Sequence, residues 1–250
     1  MSLKTVNLTV GYSGREVVSD ISGTLPQGEV TVLIGANGSG KSTLLRTLTG
    51  AQPALSGRVE LDGIDIQDYK PATLARRLSL VLTDRTGGGG LTVEELVSIG
   101  RHPYSGFLGR LSAADREVVG DAIALVGLAH KTKMFVASLS DGERQKAMIA
   151  RAIAQDTNLI VLDEPTSFLD VSSRFEIMDL LGRLAGNEGK TVLLSTHDIA
   201  PAMSVATNVW AIAQGRLEAG SIEELTASGT LNRVYRGVEF DVAAKDFRKV

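Results

Sequence analysis

The sequence predicts an α/β fold in which a parallel sheet is flanked by helices and interrupted by a helix-rich insertion. Short apolar runs, typical of strands buried on both faces of a sheet, alternate with helical patterns. A glycine-rich loop joins the first of these runs directly to a helix. The runs occupy residues 30–34, 78–82, 159–162 and 191–195.

The N-terminal part of the chain predicts antiparallel strands. Two strand-like stretches lie at residues 3–12 and 17–25, and the turn at residues 13–15 indicates that they pair as a hairpin. Residues 57–61, followed by Asp62 and Gly63, predict a further hairpin strand. We therefore expect a small antiparallel sheet beside the parallel one.

The middle of the chain predicts helices. Pro71 is expected to begin a short helix that runs to Arg77. A Ser or Thr followed three residues later by an acid is the spacing of a capping box, which marks a helix start. The pairs are Thr92 with Glu95, Ser112 with Asp115, Ser140 with Glu143 and Ser221 with Glu224.

Composition limits the function classes. The 250 residues are 43% hydrophobic, enough for one sizeable core, and the net charge of −3 gives no reason to expect a nucleic-acid partner. The absence of cysteine excludes disulfides, thiolate zinc sites and cysteine nucleophiles. Neither a signal-peptide pattern nor a long apolar run occurs, so we expect a cytoplasmic chain.

The glycine-rich loop at residues 35–43 predicts a phosphate site. Backbone N–H groups of such a loop converge on an anion, and the following helix N-terminus favours negative charge. Lys41 would reach the terminal phosphates and Ser42 would ligate Mg²⁺. A glycine-rich turn that only caps a helix is the alternative, but it does not require the Lys-Ser pair. The other candidate nucleotide-binding residues of the loop are Gly35, Asn37, Gly38, Ser39, Gly40 and Thr43.

Two further strand ends carry polar residues, and ligands of open α/β sheets gather at such ends. Asp163 and Glu164 follow the apolar run at 159–162. We expect Asp163 to hold Mg²⁺ and Glu164 to polarise the water that attacks the terminal phosphate. A solvated strand exit is the alternative. His197 follows the run at 191–195, where a lone histidine is more often structural than catalytic.

Taken together, the motifs resemble those of ATP-binding subunits of ABC transporters. In that family the order is phosphate loop, signature sequence, paired acids, D-loop and switch histidine. The matching residues here are 35–43, 139–143, 163–164, 167–170 and 195–198. The resemblance implies a P-loop NTPase (RecA-like) core with an antiparallel β subdomain at residues 1–84 and 157–220. It also implies a helical subdomain at 85–156 and leaves 221–250 as a tail that packs on the core or helps dimerisation.

The resemblance further implies a head-to-tail dimer that binds two ATP molecules with Mg²⁺ between its chains. Tyr12 would stack on adenine, and His197 would contact the γ-phosphate and help to hold the attacking water. Closure on ATP and opening after hydrolysis would drive the cycle. The second copy would complete each site through Ser140, Gly142 and Glu143, next to the D-loop residue Asp170.

The sequence departs from the family pattern at two places. Thr83, followed by Asp84, stands where family members usually have a glutamine that contacts Mg²⁺, so Thr83 is a candidate metal ligand through water. In the signature, Asp141 and Glu143 replace the usual glycine and glutamine. We expect Glu143 to face its helix cap, because a free carboxylate near the ATP of the partner would be unfavourable.

One stretch resembles a particular branch of the family. Residues 91–104, with 109–112 and 115–116, are similar to ATPases that import iron chelates, haem and cobalamin. This similarity implies an integral membrane permease as partner and, indirectly, an extracytoplasmic substrate-binding protein. The residues expected near the permease are Arg101, His102 and Tyr104, with an ordinary solvated loop as the alternative. A soluble ABC ATPase for protein assembly or repair, and a P-loop kinase, are the rival functions.

Overall fold

The computed structural model describes residues 2–82, 90–105, 109–235 and 237–249. The strands are β1 (Leu3–Tyr12), β2 (Arg15–Leu25), β3 (Val30–Gly35), β4 (Ser56–Leu61), β5 (Ile64–Asp65), β6 (Leu78–Val81), β7 (Leu159–Asp163), β8 (Thr191–Ser195), β9 (Asn208–Ala213), β10 (Arg216–Gly220), β11 (Val238–Asp241) and β12 (Asp246–Lys249). The α-helices are α1 (Lys41–Leu48), α2 (Pro71–Leu74), α3 (Val93–Ser98), α4 (Ala113–Leu125), α5 (Asp141–Ala154), α6 (Val171–Gly186), α7 (Ile199–Val205), α8 (Ile222–Ala227) and α9 (Thr230–Val234).

The predicted N-terminal hairpin is confirmed. Strands β1 and β2 pair antiparallel, and β2 begins two residues earlier than expected, at Arg15. The turn consists of Ser13 and Gly14, both with positive φ (48° and 79°), as the two-residue turns that match strand twist require. Strands β4 and β5 extend this sheet in the order β2-β1-β4-β5.

The second sheet contains every apolar run that predicted a buried strand. Its order is β10-β9-β3-β8-β7-β6, and all neighbours are parallel except the pair β9 and β10. Successive residues of β3 point to opposite faces of the sheet and enter two different hydrophobic clusters. Val32 packs in one cluster and Leu33 in the other, and both are fully buried. The loops that follow β3, β7 and β8 therefore leave the sheet at one edge.

Helices α3, α4 and α5, which lie between β6 and β7 along the chain, start where the sequence predicted. Each of α3, α4 and α5 begins at a two-way capping box. Arg101 lies buried among them: its Nε donates to Asp115 Oδ1 (2.9 Å) and its Nη1 to the Ala154 carbonyl (2.9 Å). Its guanidinium therefore joins α4 to α5, and the expectation that Arg101 lies near a permease stays a prediction.

The C-terminal segment packs on the core. Helix α8 begins at the predicted capping box of Ser221 and Glu224. Leu231, Val234 and Phe240 are buried in the same apolar cluster as the parallel sheet. Of the two alternatives for this tail, the structure shows the first. No helix within the described ranges has the length and apolar character needed to cross a membrane.

Candidate functional site

The loop between β3 and α1 has the conformation of an anion cradle. Gly38 and Gly40 have positive φ (75° and 102°), which side chains other than glycine rarely adopt. A Cβ at Gly40 would lie 2.6 Å from Val17 Cγ1, so glycine is also required there by space. Gly38 faces open space within 4 Å.

The first turn of α1 faces a large cleft. Its N-cap, Gly40, offers no side-chain hydrogen bond, and no acidic residue lies in the first turn. The N-terminal N–H groups thus keep their capacity to bind an anion. The cleft has a volume of about 680 Å³. Its lining residues are Tyr12, Arg15, Glu16, Val17, Asn37, Gly38, Gly40, Lys41, Ser42, Thr43 and Glu164.

Lys41 lies at the base of this cleft. Its side chain is buried, and Nζ donates to the carbonyl oxygens of Gly35 (2.8 Å) and Ala36 (3.3 Å). Burial lowers the pKa of Lys41, and the nearby carboxylates of Glu164 and Asp163 oppose that shift. The ammonium group is therefore bonded to the phosphate loop and lies near the two acids at the end of β7.

Ser195, at the end of β8, is hydrogen-bonded to both Asp163 and Glu164. The sequence did not indicate this role for Ser195. Its hydroxyl donates to Asp163 Oδ1 (2.7 Å) and accepts from the Glu164 N–H (3.0 Å). The Ser195 side chain is fully buried. Pairing of β7 with β8 sets Asp163 opposite Ser195, a relationship that a local motif cannot show.

Glu164 is oriented by two side chains from separate segments. Its Oε1 lies 2.8 Å from His197 Nε2, and its Oε2 accepts a hydrogen bond from Ser167 Oγ (2.9 Å). Its backbone φ of 49° is positive, which turns the chain sharply away from β7. The structure thus brings together Glu164 and His197, both predicted site residues, at the edge of the cleft.

The segment that follows Glu164 is braced by Asp198. The Asp198 carboxylate accepts hydrogen bonds from Thr166 Oγ1 and from the Arg174 guanidinium. Asp170 caps α6, where its Oδ1 accepts from the Ser173 N–H (2.8 Å). Arg174 Nε also donates to the Leu169 carbonyl (2.9 Å), so Arg174 joins the D-loop to the residues after β8.

Tyr12 lines the cleft and is half exposed. Thr43 Oγ1 donates a hydrogen bond to the Tyr12 hydroxyl (2.9 Å), which ties the hydroxyl end of the ring to the first turn of α1. The Ser39 hydroxyl is buried and has no hydrogen-bond partner among the described residues. Neither Ser39 nor Gly35 is one of the lining residues of the cleft.

The signature residues lie apart from this cleft. Ser140 caps α5, and Glu143 accepts from the Ser140 N–H (3.2 Å) and from Lys131 Nζ (2.5 Å). Both donors, Lys131 first, lower the pKa of Glu143. The expected orientation of Glu143 into its cap is confirmed. Within the described part of one chain, the following predicted site residues do not line the cleft: Ser140, Gly142, Glu143 and Asp170.

The donor set fits a magnesium ion bound mainly through phosphate and water. Ser42 and Asp163 supply oxygen atoms, which Mg²⁺ prefers, and Mg²⁺ typically takes only one or two protein ligands at such sites. The described residues contain no cluster of three or more His, Cys, Asp or Glu that could cage a metal by itself. Thr83 and Asp84 lie outside the described residues.

Comparison with known proteins agrees with this geometry. The ABC transporter family profile matches residues 18–167. A ferric enterobactin transport ATP-binding protein of Escherichia coli is 37% identical over 234 residues, which cover 93% of this chain and 86% of that protein.

Solved structures give the same result. A metal-chelate type ABC transporter in an inward-facing conformation superposes with a TM-score of 0.83 at 26% identity, covering 99% of this chain and 95% of that one. A dimeric ATP-binding cassette bound to ADP and Pi gives a TM-score of 0.76 at 26% identity, covering 88% and 98%. The chain therefore belongs to the ABC transporter family, with its P-loop NTPase fold, and is an ATP-binding, ATP-hydrolysing subunit.

Proposed function

We propose that this subunit powers the import of a metal chelate, of the iron-siderophore, haem or cobalamin type, through a membrane permease. The observation that carries the hydrolytic part is the pair of Glu164 and His197 beside a phosphate loop that holds Lys41. The import part is supported by the match to a metal-chelate type transporter over nearly the whole chain and by the relative that transports ferric enterobactin.

In the cleft, each residue has a separate task. Tyr12 stacks on adenine, and Lys41 with the loop N–H groups binds the phosphates. Glu164 orients the attacking water and accepts its proton, while His197 holds Glu164 and contacts the γ-phosphate. Ser42 and Asp163 would hold Mg²⁺, and Thr83 would act on it through water. When bound, Mg²⁺ neutralises charge on the phosphates.

The active unit is a head-to-tail dimer of this chain. Ser140, Gly142 and Glu143 lie outside the cleft of their own chain, and Ser140 is exposed at the N-terminus of α5. In the dimer they meet the ATP of the partner, next to Asp170. Because Lys131 and the helix cap neutralise Glu143, its carboxylate does not repel that ATP. A dimeric arrangement is supported by the dimeric cassette bound to ADP and Pi among the similar structures.

The remaining partners follow from the import function. The dimer sits on the inner face of the cell membrane, held by integral membrane permease subunits. An extracytoplasmic substrate-binding protein delivers the chelate to that permease. The exposed His102 and the partly buried Tyr104 lie beside the anchored Arg101 in the helical subdomain and are candidates for the permease contact.

Uptake of metal chelates that carry a radiolabelled metal tests this function. In the organism that encodes the chain, we expect deletion of its gene to abolish uptake of one metal chelate from a panel of iron-loaded siderophores, haem and cobalamin. The wild-type gene restores uptake and Lys41→Ala does not. Tagged Glu164→Gln protein, recovered from detergent-solubilised membranes with ATP, should carry a permease. Normal uptake of the whole panel after deletion, with no membrane protein copurifying, would instead favour a soluble ABC ATPase.

A further inference from the structure

Tyr235, in the C-terminal segment, reaches the phosphate loop. Its hydroxyl donates to the carbonyl oxygen of Gly35, 200 positions earlier in the chain, over a long distance of 3.5 Å. The ring packs edge-to-face against Phe247 with centroids 4.8 Å apart. Phe247 in turn packs against Phe240 at 5.1 Å. The aromatic cluster therefore sets where the Tyr235 hydroxyl lies.

This cluster is fixed to the core independently of the nucleotide cleft. Phe240 is buried in the core, and its N–H donates to Asn232 Oδ1 (2.8 Å). Lys245 Nζ donates to the carbonyl of Met203, on the helix that follows the switch histidine (3.4 Å). The C-terminal segment thus holds the Tyr235 hydroxyl beside the first residue of the loop.

The Gly35 carbonyl accepts hydrogen bonds from Lys41 and from Tyr235, and Lys41 is also the residue that we assign to phosphate binding. Lys41 Nζ donates to Gly35 O at 2.8 Å and to Ala36 O at 3.3 Å. An ammonium group has three N–H donors. Once Lys41 donates to two phosphate oxygens, at most one N–H remains for these two carbonyls. A buried carbonyl left without a donor costs free energy, so binding would be weakened unless another donor serves it.

We propose that Tyr235 is a positioning residue of the nucleotide site. Its hydroxyl donates a hydrogen bond to the Gly35 carbonyl when the N–H groups of Lys41 are taken up by phosphate oxygens. In this way the C-terminal segment stabilises the ATP-bound form of the loop. Burial raises the pKa of Tyr235, and the Glu164 carboxylate adds to that rise, so the hydroxyl keeps its proton at neutral pH. The inference rests on the proposed role of Lys41 in phosphate binding.

ATP affinity of Tyr235→Phe, measured by calorimetry on the full chain, tests the proposal. Phenylalanine keeps the ring against Phe247 and removes only the donor. We expect the Kd for ATP to rise about fivefold or more, because the carbonyl loses its donor only in the bound state. Tyr69→Phe is the matched control, since the Tyr69 hydroxyl also donates to a backbone carbonyl, that of Leu61 (2.8 Å), outside the cleft. An unchanged Kd for Tyr235→Phe would overturn the proposal.

A thermal-unfolding cycle without nucleotide tests the shared carbonyl separately. With Lys41 present, Tyr235→Phe should leave Tm nearly unchanged. In a Lys41→Met background the same substitution should lower Tm by about 2–4 °C, since Gly35 O then has no side-chain donor. Equal shifts in both backgrounds would overturn the proposal and leave Tyr235 a packing residue. If Lys41→Met itself binds ATP like the wild type, the proposed role of Lys41 fails, whatever the cycle shows.

Discussion

His197 Nε2 lies 2.8 Å from Glu164 Oε1, although the two residues follow different strands. Ser167 Oγ, from the D-loop, binds the other carboxylate oxygen of Glu164. A group that must orient water needs a fixed direction as well as a charge. The switch histidine and the D-loop thus jointly aim the carboxylate that we assign as the base.

The first prediction concerns this carboxylate. Glu164→Gln keeps an oxygen for Ser167 but cannot accept a proton, so we expect ATP turnover to fall by at least about 100-fold. ATP should still bind, and the bound form should accumulate as a dimer in size-exclusion chromatography. Glu188→Gln, at an exposed position before β8, is the control and should turn over ATP normally. A monomeric profile with ATP would count against a site shared between two chains.

The second prediction concerns Ser195. Ser195→Ala leaves Asp163 and the Glu164 N–H without their shared hydroxyl, at a fully buried position. We expect a loss of about 1–3 kcal/mol in the free energy of unfolding, measured in urea, together with a lower kcat. Ser204→Ala, which removes an exposed hydroxyl bonded to the Pro201 carbonyl, should change neither quantity appreciably. Normal kcat in Ser195→Ala would show that the two acids keep their places without this hydroxyl.

The third prediction separates the ring of Tyr12 from its hydroxyl. Stacking on a base needs only an aromatic face, so Tyr12→Phe should bind ATP within about twofold of the wild type. Tyr12→Ala should weaken binding by about 1–3 kcal/mol, measured by calorimetry. A large loss in Tyr12→Phe would instead give the main role to the hydrogen bond from Thr43.

The fourth prediction concerns acid stability. Hydrogen bonds from the Ser112 hydroxyl and N–H, and then from Arg101, lower the pKa of Asp115 from 3.8 to about 2. Because the folded-state pKa lies below the unfolded one, this carboxylate stabilises the fold above pH 3.8, and the contribution is lost as pH falls toward 2. The unfolding free energy of Asp115→Asn should therefore fall less steeply over that range. Asp121→Asn, exposed on the same helix, should follow the wild-type curve.

Local patterns predicted most elements of the fold. The capping boxes at Thr92, Ser112 and Ser140 depend on residues three apart, and each marks a helix start in the structure. Apolar runs predicted the buried strands, because a run is also a pattern of residues close together in the chain. The order of the strands in the sheet could not be predicted from local patterns, because pairing joins residues far apart in the chain. The place of Thr83 stays a prediction.

Parts of the site that a single run of sequence forms could be predicted. Parts that depend on contacts between distant segments of the chain could not. The loop around Lys41 is a single run of sequence, and the structure shows it as a cradle. Ser195 meets Asp163 only because β7 and β8 pair in one register. Tyr235 reaches Gly35 only because the C-terminal segment folds back on the core. Nor does any sequence signal announce the positive φ of Glu164.

The close approach of Gly40 to Val17 joins the phosphate loop to the antiparallel sheet. Val17 lies on the strand paired with the one that ends at Tyr12, so the loop and the aromatic ring share one support. A side chain at position 40 would push against that support, and it would therefore disturb the parts of the cleft assigned to the base and to the phosphates together.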